Sequence, residues 1–196
     1  MSGGRCRLVA CGIFSKEIHW LIEKNRWPVD PVFLDSSMHT DLAKLSKGLT
    51  STLIRFAEAD VAVFYGACHP CIDQILAEAG TFRTPVENCV EALLGREVYL
   101  RELENGAFFL FEDWARRARP VILDIFDGNE AVARDVYQTD RKYLLCIRTP
   151  RSGDFTSEAE ETGRLVGLPL RWMDASLDHL ETVLGTAIKS KGEVAS

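Results

Sequence analysis

The chain has 196 residues, a formal net charge of −6, and 46% hydrophobic and 27% charged residues. That length favours a single domain over residues 1–196, with two lobes of about 1–120 and 121–188 as the alternative. The composition excludes a disordered, collagenous or low-complexity chain, and 23 basic against 29 acidic residues argue against a phosphate-tracking surface. No apolar run approaches the roughly 18 residues of a membrane helix. The start, Met1 to Cys6, has no apolar core of a signal peptide. Six cysteines in such a chain read as reduced thiols of a cytoplasmic protein, not as a disulfide framework. No nucleic-acid or membrane partner is expected.

Short apolar runs alternate with amphipathic ones. Leu8 to Cys11 predicts a strand stopped by Gly12, then a helix capped by Ser15 with Ile18, Leu21 and Ile22 on one face. Val32 to Leu34 predicts a second strand, followed by the capping cluster Asp35-Ser36-Ser37. The next helix carries Leu42, Leu45, Leu49, Leu53 and Phe56 as one stripe, weakened by Gly48. Val61 to Tyr65, ending at Gly66, reads as a strand buried on both faces. A helix is predicted over 70–79 and a short one from Cys89 to Leu94, closed by Gly95. Ala107 to Phe111 predicts a strand, and Trp114 to Arg119 a basic helical turn ending at Pro120. Tyr143 to Ile147 and Pro169 to Trp172 predict strands. Ser157 to Glu160 has capping-box spacing, Ser176 to Leu184 predicts the last helix, and residues 189–196 a frayed tail. Strands alternating with helices predict an α/β fold: three layers, a mostly parallel sheet flanked by helices, Rossmann-like.

In open α/β sheets ligands bind outside the carboxyl ends of the strands. Cys11 ends the first strand, Cys68 lies just past the third, Cys89 follows Pro85-Val86, and His39 follows the second. Each alone has an ordinary reading: a small buried apolar residue for a cysteine, a helix cap for His39. Together they place four soft or borderline donors at one sheet edge. Three cysteines and a histidine are a common zinc set, and thiolates also hold iron–sulfur clusters. Cys68-His69-Pro70-Cys71 is a C-x-x-C, which offers Cys71 as a fourth thiolate in place of His39, or a thioredoxin-like redox pair. No later proline completes the thioredoxin pattern. Cys146 reads as core and Cys6 has no role. His19, His69 and His179 are read as solvent-side or incidental, and Glu17 as a helix-dipole residue or a base behind the site. Nucleotide-binding glycine loops, a nucleophile elbow and H-E-x-x-H are absent, and Trp114 to Arg117 is the single turn mixing aromatic and basic residues.

The segments Ala10-Cys11-Gly12 with Glu17-Ile18, Met38 to Leu42, Tyr65 to Cys68 and Asn88-Cys89 resemble a bacterial and archaeal family, domain of unknown function 1638. The resemblance continues through Gly106 to Phe111, Asp113-Trp114, Tyr137 and Tyr143 to Thr149. It implies Cys11, His39, Cys68 and Cys89 as a metal site, with Glu17 and Tyr65 nearby as proton-handling catalytic candidates. Where relatives resemble Y-G-x-C-G, this chain has His69 in place of the last glycine, followed by Pro70-Cys71. The genomic setting of similar proteins implies corrinoid-linked one-carbon metabolism.

Three functions are expected in competition. A zinc-dependent protein would act in methyl or thiol transfer on a small thiol or methyl donor. An iron–sulfur protein would use Cys11, Cys68 and Cys89, with or without Cys71. A non-enzymatic accessory protein would serve a corrinoid methyltransferase partner.

Overall fold

The computed structural model describes residues 6–57 and 59–192. In chain order the first elements are β1 (Cys6–Cys11), α1 (Ser15–Asn25), β2 (Val29–Leu34), α2 (Leu42–Arg55), β3 (Val61–Phe64), α3 (Ile72–Glu78) and α4 (Cys89–Leu94). There follow α5 (Arg96–Glu104), β4 (Ala107–Leu110), α6 (Glu112–Ala115), α7 (Ala118–Ile125), α8 (Glu130–Asp140), β5 (Tyr143–Arg148), α9 (Thr156–Val166), β6 (Leu170–Asp174) and α10 (Asp178–Gly192). The α/β class is as predicted, but the strands form two parallel sheets of three, in the orders β2-β1-β3 and β4-β5-β6. The chain packs as two compact units, one of Met1–Leu93 with Leu177–Ser196 and one of Leu94–Ser176, so the second begins well before residue 121. The predicted tail from 189 is helical to Gly192; residues 193–196, like the start 1–5, lie outside the described residues.

In the first unit β1 is central, and Leu8, Val9 and Ala10 are fully buried because helices cover both faces of the sheet. Ile18 and Leu21 of α1 and Leu45, Leu49 and Leu53 of α2 complete this core at helical spacing. Phe14, not Ser15, occupies the cap position of α1, and Ser15 instead offers its carbonyl to His19 Nδ1 at 2.8 Å. Asp35 accepts from the Ser37 N–H and starts a 3-10 turn over Ser36–Thr40; Asp41 then caps α2 by accepting from the Lys44 N–H at 3.0 Å.

The second unit has its own core around β5, where Leu144 and Cys146 pack with Leu110, Phe155, Ala159 and Val166. Pro120 does not end a helix. It sits in the first turn of α7, where a missing N–H costs nothing. α9 starts at Thr156, held by Asp154, whose carboxylate accepts from the Thr156 N–H at 3.0 Å and hydroxyl at 2.7 Å, so Ser157 is not the cap. Helices α5 and α8 escape prediction, as does α7 beyond Pro120. α5 buries no residue and α8 buries only Ala133. Among the described residues no helix is long and apolar enough to cross a membrane.

Candidate functional site

In the order β2-β1-β3 the chain leaves the central strand toward one side and later returns on the other. Such a change of direction opens a crevice at the carboxyl ends of the strands. Cys11 is the last residue of β1, and the β1–β3 register pairs Ala10 with Phe64. Tyr65 follows β3 directly, so it stands one residue beyond that pair, as Cys11 does. A cavity of about 10 Å³ lies here, bordered by Cys11, His39, Tyr65, Cys68, Asn88 and Cys89 with apolar neighbours such as Ile13 and Val86.

The segment carrying Asn88 and Cys89 is pinned to the end of β3. Thr81 Oγ1 donates to the Val61 carbonyl at 3.1 Å, and Thr84 Oγ1 to the Tyr65 carbonyl at 2.6 Å, so hydroxyls cover the open edge of β3. Arg83 donates to the carbonyls of Thr84 and Val86 and pairs with Asp73 of α3 at 2.9 Å. The Ala67 N–H donates to the Glu87 carbonyl at 2.8 Å, an approach that only glycine at 66 permits. A Cβ there would stand 2.6 Å from the Glu87 oxygen. Asn88 accepts from the Glu91 N–H at 3.0 Å while Glu91 accepts from the Glu87 N–H at 3.1 Å, a reciprocal cap that starts α4. His179 Nδ1 lies 3.0 Å from the Ala92 carbonyl and ties α10 to the same short helix, so it is a structural donor, not a solvated side chain.

His39 Nδ1 lies 2.8 Å from the Ser36 carbonyl. A carbonyl only accepts, so the neutral ring carries its proton on Nδ1 and offers the lone pair of Nε2. Its ring stacks on that of Tyr65 at 6.4 Å and 23°. Burial, reinforced by Cys11, Cys68 and Asp35 as neighbouring negative groups, drives the Tyr65 phenol far above its ordinary range. Burial likewise raises the Cys68 thiol, against a backbone hydrogen bond at Gly66 and the pull of Arg83. Cys89 rises strongly through burial and through Cys11 and Cys68, against the first N–H groups of α4. Three thiols that raise one another's or the phenol's proton affinity are neighbours around one small space.

The Tyr65 hydroxyl is buried and has no hydrogen-bond partner among the described residues, with the whole residue 2% exposed. A polar group left so costs about 1–3 kcal/mol. Tyr65→Phe should therefore stabilise the metal-free protein by about 1 kcal/mol, read as a rightward shift of its urea transition.

The structure thus brings Cys11, His39, Tyr65, Cys68 and Cys89 to one cavity. Among the described residues, however, no three His, Cys, Asp or Glu side chains stand close enough to grip an ion as placed. A metal would have to draw the donors inward. In chemistry and in size they suit a single soft ion: three sulfurs, one imidazole with a free Nε2, and room for about one water-sized sphere. Glu17 is buried in the first turn of α1 and does not border the cavity. Cys71 is exposed, its N–H donating to His69 Nδ1 at 3.0 Å, and does not border it either. Cys146 is core as expected, burial pushing its thiol up to about 12, and Cys6 is a half-buried residue at the start of β1. Arg116 and Arg117 of the basic turn pair with Glu112 at 2.8 Å and Asp113 at 2.9 Å.

Sequence reading missed Gly66, Thr84 and Asn88. The N-x-x-E spacing of Asn88 and Glu91 was the available signal for the last of these. Gly66 read only as a strand end and part of a family segment, and Thr84 carried no mark, because the contacts that need them are made by segments about 20 residues apart.

No curated protein and no solved structure matches the chain. Residues 33–184 match a family model described as "Protein of unknown function (DUF1638)". The match takes in His39, Tyr65, Cys68, Asn88 and Cys89 and begins after Cys11 and Glu17. Spanning most of its length, the match makes the chain a member of the DUF1638 family.

Proposed function

We propose that the chain binds one soft divalent ion, zinc first, through Cys11, Cys68 and Cys89. Nε2 of His39 is then the fourth donor or the neighbour of an open fourth position. The observation that carries this reading is that three thiols and a histidine border one small cavity at the carboxyl ends of β1 and β3. The Ser36 carbonyl behind His39 is the kind of outer support that holds metal-bound histidines in one tautomer. Three thiols with one imidazole are a common donor set for a single zinc, which favours the single-ion reading over an iron–sulfur protein. When bound, zinc supplies the Lewis acidity that keeps a sulfur deprotonated near neutral pH. The chain's own residues bind and orient: the thiols fix the centre, Ile13 and Val86 limit water, and His39 Nε2 takes or holds a proton where it is not a donor. The chemistry that fits is thiol or methyl transfer with a small thiol or methyl donor. A corrinoid protein as partner comes from the family resemblance alone.

Anaerobic titration with cobalt(II) tests the reading. One equivalent per chain should bind, with the visible bands of a tetrahedral site and near-ultraviolet sulfur-to-cobalt charge transfer, and zinc should erase both. Folded protein without saturable uptake overturns it, and iron with stoichiometric sulfide would replace it with a cluster. A small thiol that then perturbs the cobalt bands indicates an open position and transfer chemistry. Unchanged bands indicate the closed site of an accessory protein.

A further inference from the structure

We infer that Tyr65 is a positioning residue whose hydroxyl donates to the sulfur of Cys11 when that sulfur is metal-bound. The inference rests on the metal-site reading above and assigns the hydroxyl a task other than moving protons. The Tyr65 hydroxyl is fully enclosed and has no partner among the described residues, and Tyr65 borders the cavity, so something that enters the cavity or changes within it must supply the acceptor. Place in the fold selects the acceptor. Cys11 ends β1 and Tyr65 follows β3, each one residue beyond the paired Ala10 and Phe64, and both border the cavity. A neutral thiol is a weak acceptor, whereas a metal-bound sulfur carries thiolate charge and accepts well. His39 is a poor alternative: its ring lies nearly parallel to that of Tyr65, and the lone pair of Nε2, its one acceptor, is the one that would face the metal. A phenol carries its proton near neutral pH and so has a hydrogen to donate. The unsatisfied hydroxyl is thus a donor held ready just past the end of β3, and the metal-free state bears its cost.

The test compares wild type, Tyr65→Phe, Cys11→Ser and the double variant by competition of zinc against a chromophoric chelator and by the cobalt(II) spectrum. Tyr65→Phe keeps the ring and should fold as wild type. Zinc affinity should fall about 10- to 100-fold, and the sulfur-to-cobalt band should move to longer wavelength, because a sulfur without its hydrogen bond gives up electron density more readily. On the Cys11→Ser background, at the higher metal concentrations it needs, Tyr65→Phe should have no further effect. Equal affinity with an unmoved band, or a full additional loss on the Cys11→Ser background, overturns the inference while leaving the metal site standing. A wild type that takes up no metal overturns the site reading itself, and this inference with it.

Discussion

Gly66→Ala should cost about 3 kcal/mol and strip the site of Cys89. An added Cβ meets the Glu87 oxygen at 2.6 Å, the Glu87 carbonyl carbon at 2.7 Å and the Asn88 Cα at 2.8 Å, and all three are backbone. No flexible side chain can swing away, so the 85–89 segment must lift from the end of β3. Lifting it breaks the 2.8 Å bond from the Ala67 N–H to the Glu87 carbonyl and carries Asn88 and Cys89 with it. The melting temperature should fall by roughly 10 °C, and zinc affinity should fall with it. Gly48→Ala in α2 is the contrast. Its nearest obstacle is the Met38 sulfur at 3.0 Å, the far end of a flexible chain, and alanine gains about 1 kcal/mol of helix propensity. That variant should be neutral or slightly stabilised in the same melting experiment. Equal losses from both substitutions would remove the argument that Gly66 holds the site together.

Cys68→Ser should abolish stoichiometric metal, weakening zinc by at least about 100-fold, while Cys71→Ser should leave it unchanged. The two cysteines are three residues apart, and sequence alone offered Cys71 as a fourth thiolate beside Cys68, in place of His39. The structure separates them: Cys68 borders the cavity and its thiol is raised by burial, whereas Cys71 is exposed before α3. Glu17→Gln should likewise leave metal content intact, since Glu17 is not at the cavity. Metal lost with Cys71→Ser but kept with Cys68→Ser would reassign the site to the surface of the turn before α3.

The elements with strong apolar patterns were legible in the sequence. β1, β3 and β5 read as short continuous apolar runs, and α2 as a stripe through Leu45, Leu49 and Leu53, because each buries what its pattern promises. α5 and α8 were missed: α5 buries no residue, and Val132 and Val136 of α8, one turn apart, are exposed. The division into two sheets was also hidden. Nothing local distinguishes a strand that joins one parallel sheet from a strand that starts another, since pairing is settled by contacts distant in sequence. For the site, strand ends were enough to nominate Cys11, Cys68, Cys89 and His39. They could not settle whether Cys71 joins the site or locate Glu17, because both questions turn on where a side chain points within one turn of chain. The supports of the site were the least legible part. Thr84 under the Tyr65 carbonyl and Gly66 against Glu87 matter only once the segments that meet there have folded together.

The central claim is that the three thiols at the ends of β1, β3 and the start of α4 hold one metal ion. Its most direct measurement is metal and acid-labile sulfide analysis, with a visible spectrum, of protein purified anaerobically without added metal. The expected result is about one zinc per chain, no sulfide and no visible absorption, with the zinc lost in Cys68→Ser and retained in Cys71→Ser. Folded wild-type protein free of metal, or wild type and Cys68→Ser carrying equal zinc, would contradict it.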